Sequence, residues 1–290
     1  MNIIFKVEGG LGKHIASTAI VKVIKKHYPN SRLIVISAHP EVYANNDLVY
    51  KALHIDQQKG LYSKYIENKQ CKIFITNPYA HYTHIENETH LLESWCKVFG
   101  LEYKGEQPEI ILTSPEIDYF SQTFKSDKPI FALHSNGGPI ENGSLYSWPR
   151  DLPDSLIHEV INKYKDSHNI VHIKNPHQFT YANTTPCSET WRGIAILLIM
   201  ADKRLLIDSF AQHLAASLQL PSTVCWITTK PKVFGYEIHD NVTAEPFTKK
   251  TNLDDAVFQQ YDLHEDLSKI PYEDTSQIFD TNKIINSLNK

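Results

Sequence analysis

Short apolar runs alternate along this chain with longer stretches whose apolar residues recur every three or four positions. The first kind suits a buried strand, the second one face of a helix. Ile3 to Val7 is the first predicted strand, followed by the tight turn Gly9-Gly10-Leu11-Gly12. Ile15, Ala19, Ile20, Val23 and Ile24 then keep helical spacing up to His27. The turn Tyr28-Pro29-Asn30-Ser31 opens a second strand, Arg32 to Ser37. Further strands are predicted at Lys72 to Thr76 and Glu109 to Leu112, and a helix from Thr89 to Phe99 that Gly100 ends. After the polar stretch Ser126-Asp127-Lys128-Pro129 the alternation restarts. Strands are predicted at Ile130 to His134, Ile170 to Ile173, Arg204 to Asp208 and Thr223 to Ile227. Helices are predicted at Asp154 to Tyr164, Ser188 to Asp202 and Phe210 to Leu220. From Glu245 the chain turns polar, and a last helix is expected from Thr275 to Leu288. Strands alternating with helices imply parallel sheets with right-handed crossovers. Two such runs predict an α/β chain of two Rossmann-like halves, residues 1–128 and 129–245, with a tail at 246–290.

Length and charge narrow the class. The 290 residues suit two domains. A net charge of −4 lends no support to a protein held on nucleic acid by charge. Cys71, Cys96, Cys187 and Cys225 form no close pair, so reduced thiols are expected. Met1 to Lys6 carries no signal-peptide pattern, and the expected location is cytoplasmic. The longest apolar run, Ile194 to Ala201, falls short of the ~20 residues a membrane span takes, so no integral membrane segment is expected.

Ligands of open α/β sheets bind beyond the carboxyl ends of the strands, which singles out two loops. The first is Glu8-Gly9-Gly10-Leu11-Gly12-Lys13-His14. Glycines let backbone approach a ligand, and a helix N-terminus offers N–H groups to an anion. The string also resembles a deviant Walker A phosphate loop, GGxGK. It departs from that pattern at Glu8, where a Lys is usual, and at His14, where a Ser or Thr would hold magnesium. The second loop is Asp208-Ser209 between strand and helix, where either residue can cap the helix and the first N–H groups can meet a diphosphate. His213 lies one turn further on. His81, His84 and His90 cluster without a completing carboxylate or thiol, and no metal site is expected.

The segment Asp208, Ser209, His213, Leu214, Ala215, Ala216, Leu218, Pro221 and Thr223-Val224-Cys225-Trp226 resembles the donor motif of the heptosyltransferases, glycosyltransferase family 9. That motif runs Asp-Ser/Thr-Gly-x-x-His-Leu-Ala-Ala-Ala-Leu, then a Pro and a strand; Phe210 stands at its glycine. Leu11-Gly12-Lys13 and Tyr28-Pro29 correspond to a family Leu-Gly-Asp loop and the Tyr-Pro before the second strand. Trp148-Pro149 matches a Lys-x-Trp-Pro string, with Tyr146 at the Lys.

The resemblance implies a GT-B architecture, two Rossmann-like halves facing a cleft. It implies inverting transfer of a sugar from a nucleoside-diphosphate sugar to a glycan or other hydroxyl acceptor, with no further cofactor. Ser135, Asn136, Gly137, Gly138, Arg150, Asp208, Ser209, His213, Lys230 and Lys232 would hold the donor. Gly9, Gly10 and Gly12 would meet the acceptor, and the tail would return to the first half. The family's acceptor base is the Asp of Leu-Gly-Asp, and its position is Lys13. Glu8 is the first substitute and His14 the second, with Lys13 countering charge on an acidic acceptor or leaving group. With no Asp-x-Asp string, cationic side chains and helix ends would take the diphosphate without metal. Other readings are a P-loop-type ATPase, a non-catalytic nucleotide- or sugar-binding relative, and a DNA-modifying sugar transferase.

Overall fold

The computed structural model describes residues 1–137, 147–249 and 270–290. The chain divides into two compact units, Met1–Leu112 and Thr113–Lys290. No helix among the described residues is long and apolar enough to cross a membrane.

The first unit carries a four-stranded parallel sheet in the order β3-β2-β1-β4. Its strands are β1 (Asn2–Val7), β2 (Arg32–Ser37), β3 (Lys51–His54) and β4 (Cys71–Phe74). Ile3, Phe5, Leu33, Ile34 and Val35 are fully buried, as the continuous apolar runs of a covered parallel sheet should be. Helix α1 (Leu11–His27) buries Ile15, Ala19, Ile20, Val23 and Ile24. It starts four residues earlier than its apolar spacing indicates, taking Gly12, Lys13 and His14 into its first turn. A short helix α2 (Tyr82–Ile85) precedes α3 (Leu91–Phe99), which ends at a left-handed Gly100. The strand expected at Glu109 to Leu112 does not form. The Glu109 amide bonds instead to the Thr18 hydroxyl of α1, so the segment lies along a helix rather than a strand.

The second unit carries a six-stranded parallel sheet in the order β10-β9-β8-β5-β6-β7. Its strands are β5 (Ile130–Leu133), β6 (Asn169–Ile173), β7 (Thr185–Cys187), β8 (Ala201–Ile207), β9 (Thr223–Trp226) and β10 (Asp240–Thr243). Helices α4 (Ser114–Thr123), α5 (Asp154–Tyr164), α6 (Trp191–Met200), α7 (Phe210–Ser217), the single turn α8 (Pro231–Phe234) and α9 (Thr281–Leu288) complete it.

The helix expected from Ser188 to Asp202 is shorter at both ends, because Ala201 and Asp202 already belong to β8. The last helix likewise starts at Thr281, capped by the Asp280 carboxylate. The division falls before α4 rather than at residues 126–129, since α4 is fastened to α6. Arg192 donates Nε and Nη2 to the two carboxylate oxygens of Glu116, and Phe120 lies against Gly193. The expected return of the tail to the first half is also corrected. Ile284 and Leu288 of α9 enter the second unit's core with Phe131, Val160 and Cys225. The apolar face of α9 therefore has its partner there. Residues 250–269 of the expected tail lie outside the described residues.

Candidate functional site

In each sheet the order in which strands are added reverses once, and loops on either side of such a switch point part to leave room for a ligand. In the second unit β5, β6 and β7 run to one side, while β8, β9 and β10 run to the other. The switch point therefore lies between β5 and β8. The loops leaving it are His134-Ser135-Asn136-Gly137 and Asp208-Ser209, two segments that the sequence marked as donor-binding.

The structure brings these loops into contact. A side chain added at Gly137 would start 3.0 Å from Ile207 Cδ1 and 3.6 Å from Ser209 Oγ. Asp208 collects two groups from neighbouring segments. Thr229, beyond β9, donates its hydroxyl at 2.5 Å, and Arg150 Nε stands 3.8 Å away. Thr228 donates to the Pro149 carbonyl at 3.1 Å, tying the loop after β9 to the Trp-Pro-Arg segment. Asp151 accepts the amides of Gly137 at 2.9 Å and Ser147 at 2.7 Å. Burial raises its carboxyl, against the pull of those two N–H donors. Ser209 occupies the N-cap of α7 in extended backbone, and no side chain among the described residues caps that helix. Lys230 and Lys232 are exposed, with Lys230 at the N-cap of α8.

Two expected donor residues, Ser135 and His213, have different surroundings. Ser135 is fully buried, and its hydroxyl meets Asn136 Oδ1 at 2.7 Å and His172 Nε2 at 2.8 Å. It thus braces the loop from within rather than offering a free hydroxyl. His213 is buried with Nδ1 2.8 Å from the Tyr236 hydroxyl, a contact that fixes α7 against the segment after α8. Phe210, at the family's glycine, lays its ring edge-on to His134, with centroids 5.4 Å apart. Trp148 is buried against Ile227 and Phe247, so the Trp-Pro match serves packing. Gly138 and Tyr146 lie outside the described residues. Thr229 and Asp151 are the members that sequence reading missed; each becomes visible only once the strand order is known.

In the first unit β1, β2 and β3 run one way and β4 lies on the other side of β1. Its switch point therefore lies between β1 and β4. Gly9 there has φ +103, a left-handed value, and Lys13 Cδ lies 3.3 Å from where a Gly9 side chain would begin. Gly10 is the N-cap of α1, and Gly12 is helical. The Lys13 side chain folds across the turn and donates Nζ to Asn77 Oδ1 at 3.1 Å, just beyond β4. Nζ also stands 4.4 Å above the Tyr79 ring and 5.5 Å from that of Trp95.

His14 is fully buried, with Nδ1 2.9 Å from the Gly10 carbonyl and Nε2 3.2 Å from the Val7 carbonyl. Burial holds its pKa below the ordinary value. Glu8 is exposed and paired with Lys6 at 2.5 Å, and that hydrogen bond and charge lower its pKa. Lys13 contributes least to that lowering.

No family model matches the sequence, and no curated protein sequence matches it. Solved structures do. A family 9 glycosyltransferase from Veillonella parvula superposes with a TM-score of 0.69 at 12% identity, over 99% of this chain and 96% of that one. The fold is that of the family 9 glycosyltransferases. The Escherichia coli ADP-heptose lipopolysaccharide heptosyltransferase II gives 0.63 at 12% identity, over 100% and 99% of the two chains. The dodecameric iron-containing heptosyltransferase TibC of enterotoxigenic E. coli, in complex with ADP-D-β-D-heptose, gives 0.69 at 10% identity, over 99% and 75%. The α/β class with parallel sheets in two halves, expected from the alternation, is the class observed.

Proposed function

We propose that this chain transfers a sugar from a nucleoside-diphosphate sugar to the hydroxyl of a glycan or other acceptor. The observation that carries this reading is the β5/β8 switch point. Gly137 packs on Ser209 there, Arg150 and Thr229 converge on Asp208, and α7 begins without a side-chain cap among the described residues. A diphosphate fits such a place because backbone N–H groups and a guanidinium both stabilise the charge that grows on the leaving group. Lys230 and Lys232 add positive charge on the loop beyond β9. The reading takes those groups, and no metal, as the counter-charge to the diphosphate. Direct attack by the acceptor hydroxyl would invert the anomeric centre. Solved relatives of this fold hold ADP and ADP-heptose, and an ADP-sugar is therefore the donor proposed first.

Titration calorimetry with ADP and ADP-sugars tests the reading. Binding should weaken at least ~10-fold in Arg150→Ala, the loss of one charge-assisted hydrogen bond, with the unfolding midpoint little moved. Binding of ATP with magnesium alone, abolished by a change at Lys13, would favour the phosphate-loop reading instead.

A further inference from the structure

The first unit has a switch point of its own, and Lys13 spans it. Its Nζ, carried on the first turn of α1 beyond β1, bonds to Asn77 beyond β4. The ammonium has no carboxylate within ion-pair distance among the described residues, and the residue is 9% exposed. The Asn77 amide oxygen and the Tyr79 and Trp95 rings lie against it. Gly9 leaves open the space through which the side chain passes.

We propose that Lys13, as its neutral amine, is the general base that takes the proton of the acceptor hydroxyl. The inference rests on the glycosyl-transfer reading above and assigns the one role that the sequence left open. Geometry separates the three candidates. Both nitrogens of His14 face backbone carbonyls inside the fold, those of Gly10 and Val7, and the ring is fully buried, so neither is open to an acceptor hydroxyl. The Glu8 carboxylate is turned to Lys6, and that pairing makes it a weaker base. A neutral Lys13 amine would keep one N–H on Asn77 and a second on the Tyr79 ring, which leaves its lone pair for an incoming O–H.

Burial supports that protonation state, because it disfavours the charged form and brings Lys13 down to about 8. The groups facing it are few. Glu8 on the β1–α1 loop opposes the shift, while His14 on α1 and His84 on α2 are both held below their ordinary pKa by burial. Tyr79 offers its ring, and Trp95 of α3 carries no charge. In the step, the acceptor O–H proton passes to the Nζ lone pair and the acceptor oxygen bonds to the anomeric carbon. The bond from that carbon to the diphosphate breaks, its electron pair leaving with the nucleoside diphosphate. The ammonium then returns its proton to solvent.

The test is the pH profile of kcat/KM with an ADP-sugar donor, beside calorimetric donor affinity. The wild-type chain should rise along one limb with an apparent pKa near 8. Lys13→Gln should lose ~10²–10⁴-fold in rate with donor affinity unchanged. Lys13→Asp should regain activity with the limb moved to the acid side. A Lys13→Gln enzyme that keeps the wild-type rate and limb overturns the inference. A measurement without turnover separates it from the reading beneath. In a chain labelled with 13C at lysine Cε, the signal lost in Lys13→Gln should titrate near 8 whether or not a donor has been found. Titration of that signal above ~10, the ordinary lysine range, also overturns it. Absence of all nucleotide binding would remove the glycosyl-transfer reading itself.

Discussion

Gly9 holds a left-handed φ of +103 and lies under the aliphatic part of Lys13. Alanine there meets both a strained backbone and a crowded neighbour. Gly9→Ala should cost on the order of 1–3 kcal/mol in urea unfolding and should displace the Lys13 amine from Asn77. The glycine run and Lys13 were legible in the sequence. Asn77 was not, because nothing along the chain says that β4 rather than β2 sits across the switch point from the glycine turn. His213 shows the opposite case. Its spacing from Asp208-Ser209 resembled a ligand position, yet its ring is buried against Tyr236. His213→Ala should therefore lower stability as well as any nucleotide affinity, and Tyr236→Phe should reproduce part of the stability loss. Full stability in His213→Ala with affinity alone reduced would return it to a pure ligand role.

At the scale of elements, α4 decides where the second unit begins. Thr113-Ser114-Pro115-Glu116 has the capping-box pattern with a proline in the first turn, and the Glu116 carboxylate accepts the Thr113 amide at 2.8 Å and its hydroxyl at 2.7 Å. That signal lay in the sequence, but the partner of α4 did not. Glu116 also receives Arg192 from α6, and this hydrogen bond is the first cause that lowers its carboxyl from 4.5 to about 2. A carboxyl depressed in the folded state adds stability above its unfolded pKa and loses it as pH falls through the folded value. Glu116→Gln should thus cost about 2 kcal/mol near pH 6 in denaturant melts, and the gap to wild type should close between pH ~4.5 and ~2. A gap that stays constant over that range would remove the ion pair from the explanation.

At the scale of the molecule, the alternation of strands and helices was enough to predict an α/β chain with parallel sheets. Strand order was not legible, because a buried run such as Leu205-Leu206-Ile207 looks the same wherever it stands in a sheet. The strands β3, β7 and β10 were missed because they stand at sheet edges, mostly half-buried or exposed, and carry no continuous apolar run. The end of the chain was misplaced because the period of α9 shows which face is apolar and not what covers it. Ile284, fully buried in the second unit's core, should cost about 2–5 kcal/mol on replacement by Ala, and calorimetry should show the second unit's transition moving down.

Hydrogen exchange with and without an ADP-sugar locates the donor most directly. Saturating donor should slow exchange at the amides of residues 134–137 and 208–212, and Arg150→Ala should remove that protection at the same donor concentration. Protection confined to residues 9–14, or none at any nucleotide sugar, would contradict a donor site at the β5/β8 switch point.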